Sequence, residues 1–191
     1  MLVKICGITN LDDALAAIQA GAGALGFNFC PLSPRYLTPV SAAPILAALP
    51  PSICKVGVFV NESGESIAAQ LGLDVAQIHG PAPAPSALRY WRAVPAGSPL
   101  DDEQAEPFLV DTPAGDRHGG TGRTFDWSLL QNTKHRIVLA GGLDASNVAQ
   151  AILAVHPWGI DACSRLESSP GKKDHRKLAE FVRTALMAAQ S

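Results

Sequence analysis

Short apolar segments rich in β-branched and aromatic residues recur along the whole chain, separated by polar, glycine-rich or helix-forming segments. Apolar runs of this length, bounded by turn residues, predict buried strands. Eight strands are predicted in this way, at Leu2–Ile8, Ala24–Phe29, Cys54–Val60, Val75–Gly80, Tyr90–Val94, Phe108–Thr112, Arg136–Ala140 and Gly159–Cys163. Their spacing of roughly two dozen residues leaves room for a helix between most of them.

Helix signals lie between most of these strands. The first helix follows a cap at Thr9 or Asn10, has two aspartates in its first turn and ends at Gly21. Further helices are predicted at Ala42–Leu49 with a cap at Ser41, and at Ser63–Gly72, Trp127–Leu130, Ala145–Val155 and His175–Ala189. Because the connections after strands four and five are rich in proline, we predict a brief helix in the first and a short or missing helix in the second.

Repeated strand–helix units indicate a parallel sheet, because a parallel strand pair needs a long crossover and a helix usually provides it. Eight such units suffice to close a small (β/α)8 barrel, the TIM barrel of the α/β class, and this is the fold that we predict. An open, doubly wound sheet is the alternative, because periodicity does not show closure. No linker or change in composition divides the chain, so we predict a single domain over residues 1–191.

The composition is that of a folded globular protein, since 47% of the 191 residues are hydrophobic and 17% are charged. A formal net charge of -2 provides no basic field for nucleic acid or an anionic membrane. No apolar run has the length of a membrane span, and the chain begins with a strand pattern rather than a signal peptide. Cys6, Cys30, Cys54 and Cys163 form no CxxC pair or metal-binding spacing, which favours free thiols in a reducing cytoplasm.

Polar residues occur at the ends of the predicted strands, where a barrel of this class carries its chemistry. Lys4 and Cys6 alternate onto the same interior side of the first strand. The other candidates are Gln77, His79, Asp111, Gly141, Gly142, Asp161 and Cys163 at strand ends, with Arg35 and Gly119–Gly122 in the loops after strands two and six. A thiol and a carboxylate on opposite sides of the barrel mouth suit a general base and a general acid. The glycine pair after strand seven lies where such barrels bind phosphate through backbone N–H groups.

Each candidate also has a purely structural interpretation. A single buried cysteine such as Cys6 is more often a small core residue than a catalytic group. His79 is compatible with a hydrogen-bonded interior histidine, and Asp111 with an Asx cap on the next turn. Asp161 is a candidate partner for Lys4, because strands one and eight are neighbours in a closed barrel. For Lys4, this structural role and a functional role are equally open.

Eight motifs together resemble phosphoribosylanthranilate isomerase, a family of tryptophan-biosynthesis enzymes. They are KICGIT at 4–9, SPRYLTP at 33–39, VGVFVN at 56–61, QIHG at 77–80, LVDT at 109–112, GGTGRTFDW at 119–127, LAGGL at 139–143 and SPGKKD at 169–174. The motifs occur in the family's order and cover nearly the whole chain, so the resemblance is specific.

The resemblance implies a TIM barrel that performs an Amadori rearrangement of N-(5-phosphoribosyl)anthranilate to 1-(2-carboxyphenylamino)-1-deoxyribulose 5-phosphate, without a metal or organic cofactor. Asp111 would be the general acid that opens the furanose ring, and Cys6 the general base that removes the C2′ proton. Lys4 or the iminium charge of the substrate would lower the pKa of Cys6. Arg35 would bind the anthranilate carboxylate. Backbone donors around Gly141, Gly142, Cys163 and Ser164 would bind the phosphate, with Lys4, His79 and Asp161 as supporting residues.

The turn after the eighth strand departs from the family's usual DVSSGVE. It is DACSRLE here, at 161–167, and Arg165 replaces the family's glycine. Glycine tolerates a positive φ and a close backbone approach, whereas arginine does not. We predict an ordinary φ at Arg165 and a side chain that points to solvent. The alternative is a guanidinium that contacts the phosphate or a nearby carboxylate.

Two other functions are open on the sequence alone. An isomerase for the related aminoimidazole aminoaldose of histidine synthesis would perform the same chemistry, but such enzymes are longer and usually have an aspartate as the base on strand one. A silent barrel that binds a phosphorylated ligand is the second, although the presence of Cys6, Asp111 and Arg35 together argues against it. We expect a phosphosugar substrate, no nucleic acid or membrane partner, and a monomer, with association with other tryptophan-pathway enzymes left open.

Overall fold

The computed structural model describes residues 1–81, 88–101, 107–113, 124–131 and 133–190. Within them, eight parallel strands form a closed barrel in chain order. The strands are β1 (Leu2–Cys6), β2 (Ala24–Asn28), β3 (Cys54–Val60), β4 (Val75–His79), β5 (Tyr90–Pro95), β6 (Phe108–Asp111), β7 (Ile137–Leu139) and β8 (Gly159–Ala162). Because β1 pairs with both β2 and β8, the predicted TIM barrel is confirmed and the open sheet is excluded.

Five α-helices and two 3-10 turns connect the strands within the described ranges. They are α1 (Leu11–Ala20), α2 (Pro39–Ala47), α3 (Glu65–Leu71), α4 (Val148–Val155) and α5 (His175–Ala188), with 3-10 turns at Trp127–Leu130 and Ser164–Leu166. A two-stranded antiparallel hairpin of β9 (Glu167–Ser169) and β10 (Lys172–Lys173) follows β8 and is absent from the sequence prediction. The brief helix expected after β4, residues 102–106 of the connection after β5 and the loop at Gly119–Gly122 lie outside the described residues.

The predicted start of the second helix is wrong. α2 begins at Pro39 rather than at Ala42, and its cap is Thr38 rather than Ser41. The Oγ1 of Thr38 accepts a hydrogen bond of 3.1 Å from the N–H of Ser41. Proline fits the first helical position because the N–H that it lacks has no partner there in any helix.

The barrel interior contains both apolar and charged side chains. Its apolar part is a cluster of buried residues from the strands, comprising Ala24, Val56, Val75, Trp91, Ala93, Leu109, Val138 and Ala140. Lys4, Gln77 and Asp161 are buried polar residues of β1, β4 and β8. Because burying a charge is costly unless the charge is paired, a buried lysine and a buried aspartate mark this region as a candidate site.

Candidate active site

β1 and β8 place a lysine and an aspartate side by side in the barrel. Their register pairs Lys4 with Asp161, and Lys4 Nζ donates a hydrogen bond of 2.8 Å to Asp161 Oδ1. Burial alone would lower the pKa of Lys4, but the charge of Asp161, with a smaller contribution from Cys6, raises it instead. The predicted pairing of Lys4 with Asp161 is therefore confirmed, and Lys4 is held as a cation at the end of the barrel interior.

Cys6 is the last residue of β1, and its side chain is partly accessible. A Cβ atom on Gly26 would lie 2.8 Å from Cys6 Sγ and 3.1 Å from Lys4 Nζ, so the glycine in β2 leaves room for both groups. The neighbouring thiol of Cys163 lowers the pKa of Cys6 most; burial opposes this, and the charges of Lys4 and Lys173 lower the pKa further. The result is a pKa of about 7. Cys6 is thus a thiolate in a substantial fraction of molecules at neutral pH.

Asp111 is the last residue of β6 and is the carboxyl counterpart of Cys6. Burial raises its pKa to about 6, although a hydrogen bond of 2.7 Å from the N–H of Thr112 to Oδ1 opposes the shift. The Asx interpretation is therefore correct in one respect, since the carboxylate bonds to the next residue's N–H. A Cβ atom on Gly141 would collide with Thr112 Oγ1 and lie 3.0 Å from Asp111 Oδ1, so Gly141 packs directly against this carboxyl.

The turns after β7 and β8 meet beside Asp111. Gly141 and Gly142 have φ angles of 91° and 62°, in the left-handed region that favours glycine. Both glycines line one small cavity together with Asp111, Cys163 and Ser164. The structure thus brings the predicted phosphate-binding residues together next to the candidate acid.

A polar turn supports the glycine pair from behind. Asn147 Nδ2 donates a hydrogen bond of 2.9 Å to the carbonyl of Gly142, and Asn147 Oδ1 accepts one of 3.0 Å from the N–H of Asp144. Because residues 144–147 form this turn, α4 begins at Val148, and the predicted start at Ala145 is wrong.

Arg165 lies in the 3-10 turn after β8 and, as predicted, does not have a positive φ. Its side chain does not simply point to solvent, and that prediction is wrong. Arg165 Nε donates a hydrogen bond of 2.6 Å to Asp144 Oδ2, and Nη2 forms an ion pair with the same oxygen. The alternative of a contact with a nearby carboxylate is confirmed, and the contact joins the turn after β8 to the turn after β7.

Arg35 follows β2 and is held by an ion network at the barrel mouth. Its Nε and Nη2 donate hydrogen bonds of 2.8 Å and 2.7 Å to the two carboxylate oxygens of Glu167. Lys173 Nζ lies 3.1 Å from Glu167 Oε1, and the Lys173 side chain is fully buried. Burial opposes ionisation of Glu167, but Arg35 and Lys173 together lower the pKa of its carboxyl. Nη1 of Arg35 has no hydrogen-bond partner in the described part of the chain.

His79, at the end of β4, has a hydrogen bond within the barrel. Gln77 Nε2 and His79 Nε2 lie 2.9 Å apart, and Gln77 is buried. The interpretation of His79 as a hydrogen-bonded interior histidine is therefore confirmed.

Sequence reasoning missed Glu167 and Lys173 as members of the site. Glu167 ends the altered turn after β8, and Lys173 lies in the SPGKKD motif, but neither carried a predicted role. A signal was present, because two oppositely charged residues follow the last barrel strand, close to where its chemistry was expected.

The four cysteines are free thiols, as predicted. Among the described residues, no group of three or more histidine, cysteine, aspartate or glutamate side chains is arranged to hold a metal ion. The same residues include no helix long and apolar enough to cross a membrane.

A family model described as N-(5'phosphoribosyl)anthranilate (PRA) isomerase matches residues 3–184. The N-(5'-phosphoribosyl)anthranilate isomerase of Solibacter usitatus is 50% identical over an alignment of 199 positions, gaps included, which covers 98% of each chain. A crystal structure of the Thermotoga maritima enzyme superposes with a TM-score of 0.88 at 40% identity and covers 98% of this chain and 100% of its own; another structure describes monomers generated from that dimeric enzyme. An isomerase in complex with reduced 1-(o-carboxyphenylamino)-1-deoxyribulose 5-phosphate superposes with a TM-score of 0.80 at 35% identity, covering 98% and 100% of the two chains.

Proposed function

The chain belongs to the N-(5'-phosphoribosyl)anthranilate isomerase family, and we propose that it performs this step of tryptophan biosynthesis with Asp111 as general acid and Cys6 as general base. One observation carries the assignment. The environment raises the pKa of the Asp111 carboxyl to about 6 and lowers that of the Cys6 thiol to about 7. A carboxyl whose pKa is raised towards neutrality is a better proton donor, and a thiol whose pKa is lowered towards neutrality is a better proton acceptor, so the two groups suit opposite proton transfers.

Ring opening is the first step. Asp111 donates its proton to the furanose ring oxygen while the C1′–O bond breaks, and the nitrogen lone pair forms the C1′=N bond of an iminium ion. Burial favours the protonated form of Asp111, because removing the carboxyl from water disfavours its charged form. The two anionic groups of the substrate would disfavour that charge further.

Proton abstraction is the second step. The Cys6 thiolate takes the proton from C2′, and the electron pair of that C–H bond forms C1′=C2′ while the electrons of C1′=N return to nitrogen. The product is the enol form of the aminodeoxyribulose phosphate, which becomes the ketone by a proton shift from the C2′ hydroxyl to C1′. Exchange with solvent returns one proton to Asp111 and removes one from Cys6. Lys4 supports this step, because its positive charge stabilises the thiolate.

The substrate carries a negative charge at each end, a carboxylate and a phosphate, and a different part of the site would bind each of them. Arg35 would bind the anthranilate carboxylate through Nη1, while Glu167 holds the other side of the guanidinium in a bidentate contact. The phosphate would bind to backbone N–H groups of the turns at Gly141–Gly142 and Cys163–Ser164, where glycine permits a close approach.

We infer that the protein acts as a monomer, because Cys6, Arg35, Asp111 and the two phosphate turns come together at the mouth of a single barrel, and that it works in a reducing cytoplasm where Cys6 stays a thiol. Light scattering at working concentration measures the state of assembly; a dimer that loses activity on dilution would contradict the monomer.

The two alternative functions fit less well. An isomerase of histidine synthesis usually has an aspartate where this chain has the thiol at the end of β1, and a barrel that only binds its ligand does not need the two proton-transfer groups that are present.

The direct test follows the loss of anthranilate-type fluorescence when the protein meets freshly formed phosphoribosylanthranilate. Cys6→Ala and Asp111→Ala should each lower kcat by about 10²- to 10⁴-fold, the usual contribution of a general acid or base. Cys54→Ala, at the opposite end of the barrel, and Asp126→Ala, on the exposed 3-10 turn, are matched controls that should keep the parent rate. A Cys6→Ala or Asp111→Ala protein with the parent rate would refute the corresponding role.

A further inference from the structure

We propose that Lys173 is a positioning residue of the isomerase site: its buried ammonium fixes the peptide that would bind the substrate phosphate and keeps the charge of Arg35 available for the substrate carboxylate. The inference rests on the proposed function, because it concerns the two substrate-binding ends of that site. Lys173 itself belongs neither to the proton-transfer pair nor to the two phosphate turns.

The hairpin after β8 and the first helix together set the position of Lys173. The hairpin register pairs Lys173 with Glu167. The N–H of Lys173 donates a hydrogen bond of 2.8 Å to Oδ2 of Asp13, a buried residue of α1. Asp13 is fixed in turn, since its own N–H donates a hydrogen bond of 2.8 Å to Oδ1 of the helix cap Asn10. The backbone of Lys173 is therefore held from α1, while its side chain extends to the turn after β8.

The ammonium group of Lys173 is fully buried and uses its hydrogens inside the protein. Nζ donates hydrogen bonds of 3.2 Å to the Cys163 carbonyl and 3.1 Å to Glu167 Oε1, and a weaker one of 3.8 Å to Cys163 Sγ. Because a lysine ammonium has three donors, none remains for a ligand. Lys173 therefore acts on the substrate through the groups that it holds.

The first of these groups is the peptide between Cys163 and Ser164. In a planar trans peptide the C=O and the N–H point in opposite directions, so a carbonyl held by Lys173 aims the N–H of Ser164 away from the ammonium. The same carbonyl accepts a hydrogen bond of 3.2 Å from the N–H of Leu166, so both of its lone pairs are used. Within the described ranges the N–H of Ser164 has no acceptor, and Ser164 lines the cavity beside the glycine pair. Lys173 thus fixes the direction of a donor that is free for the phosphate.

The second group is the carboxylate of Glu167, which Lys173 shares with Arg35. Glu167 Oε1 accepts hydrogen bonds from Arg35 Nε at 2.8 Å and from Lys173 Nζ at 3.1 Å. Arg35 and Glu167 alone would form a pair without net charge, which attracts an anion weakly. Two cations and one anion leave one net positive charge, and water screens it little because the three side chains are at most 14% exposed. Lys173 therefore keeps Arg35 attractive to the substrate carboxylate.

The first test separates binding from chemistry. Lys173→Met keeps an unbranched side chain without the charge and the donors, and Lys172→Met, at the exposed neighbouring lysine, is the matched control. In Lys173→Met we expect KM for phosphoribosylanthranilate, and the inhibition constants of inorganic phosphate and of benzoate, to rise about tenfold, with kcat changed by less than about threefold. Lys172→Met should keep all the parent constants. An unchanged KM in Lys173→Met, or a fall in kcat alone, would overturn the inference.

Amide NMR tests the phosphate end without turnover and without reliance on a variant. In the 15N-labelled parent protein, inorganic phosphate should shift the Ser164 amide resonance in a saturable manner. In Lys173→Met the midpoint of this titration should lie at about tenfold higher phosphate, and in Lys172→Met at the parent concentration. A Ser164 amide that does not respond in the parent, or an equal midpoint in Lys173→Met, would overturn the inference.

The failure of this inference and that of the proposed function are distinguishable. A parent protein that shows the predicted phosphate titration and its shift in Lys173→Met, but does not convert phosphoribosylanthranilate, would refute the proposed function alone. An active parent protein whose KM and phosphate midpoint are the same in Lys173→Met would overturn the positioning role alone.

Discussion

Lys4 Nζ and Asp161 Oδ1 lie 2.8 Å apart in the barrel interior, and this ion pair joins the first barrel strand to the last. Neither charge is free to reach water, since the Lys4 side chain is fully buried and that of Asp161 is 9% exposed. The ion pair links the two strands that close the barrel, and it places the positive charge of Lys4 beside Cys6.

Breaking this pair should be costly. Lys4→Met leaves Asp161 buried without its partner, and we expect the free energy of unfolding in urea to fall by about 3–5 kcal/mol. The double variant Lys4→Met/Asp161→Leu removes both charges and should recover most of the loss, because the desolvation of a lone carboxylate disappears. Equal stability of the single and double variants would contradict this assignment of the cost.

Asp111 should destabilise the fold at neutral pH. Its pKa rises from 3.8 to about 6 on folding, so the folded state holds more protons than the unfolded state in this range. Stability therefore falls as pH rises from about 4 to about 6 and stays lower above it. Asp111→Asn should be up to about 3 kcal/mol more stable than the parent at pH 8 and little changed at pH 4.

Denaturant titrations at both pH values check this prediction. Asp126→Asn is the matched control, because Asp126 is a carboxyl on an exposed turn and should give no gain at pH 8. A uniform gain of Asp111→Asn at both pH values would show that the effect does not come from ionisation.

Arg35→Lys tests the guanidinium fork. Lysine keeps the charge but cannot bind Glu167 through two parallel hydrogen bonds and also reach a substrate carboxylate. We expect KM for phosphoribosylanthranilate to rise about 10- to 100-fold with a smaller change in kcat, as for the loss of a charge-assisted hydrogen bond. Arg183→Lys on exposed α5 positions should change neither constant; an unchanged KM in Arg35→Lys would count against carboxylate binding.

Gly141→Ala and Gly72→Ala form a matched pair. Both glycines have a positive φ, but a Cβ atom on Gly72 meets nothing within 4 Å, whereas one on Gly141 collides with Thr112. Gly72→Ala should cost about 1–2 kcal/mol of stability through its backbone alone and leave KM unchanged. Gly141→Ala should cost more and raise KM, because the turn against Asp111 must shift. Equal effects of the two substitutions on calorimetric stability and on KM would contradict the close packing at Gly141.

The Arg165–Asp144 contact should contribute little stability, because the Arg165 side chain is 40% exposed. Arg165→Ala should lower the free energy of unfolding by less than about 1 kcal/mol, and the difference should shrink in 1 M salt. Asp144→Ala should cost more, since Asp144 also accepts a hydrogen bond from the N–H of Ser146 before α4. A larger loss in Arg165→Ala than in Asp144→Ala would contradict this ranking.

The barrel and the identity of its strand ends followed from local patterns. Strand length, apolar content and turn residues are local properties, so Cys54–Val60 was predicted to the residue. Predicting that Lys4 and Asp161 are neighbours required one further assumption, namely that the eight strands close into a barrel. The predicted start of α2 was wrong because Ser41 was taken as the cap, although Thr38 caps the helix and Pro39 occupies the first helical position, which accepts proline.

Side-chain partners between distant segments were beyond local patterns. The contact of Arg165 with Asp144 depends on how two turns are aimed, and the network of Arg35, Glu167 and Lys173 needs a hairpin that follows β8. The effect of Cys163 on Cys6 was missed for a related reason, because it depends on the register of β1 against β8 as well as on their adjacency.

The pairing of β1 with β8 also orders events during synthesis. Asp161, Cys163 and Lys173 leave the ribosome only after more than 150 further residues have been made since Cys6 (161 − 6 = 155). Until β8 arrives, β1 lacks one neighbour and Lys4 lacks its counter-ion, so a nascent chain can bury neither without penalty. The low pKa of Cys6 therefore develops only when β8 pairs with β1, which is the step that closes the barrel.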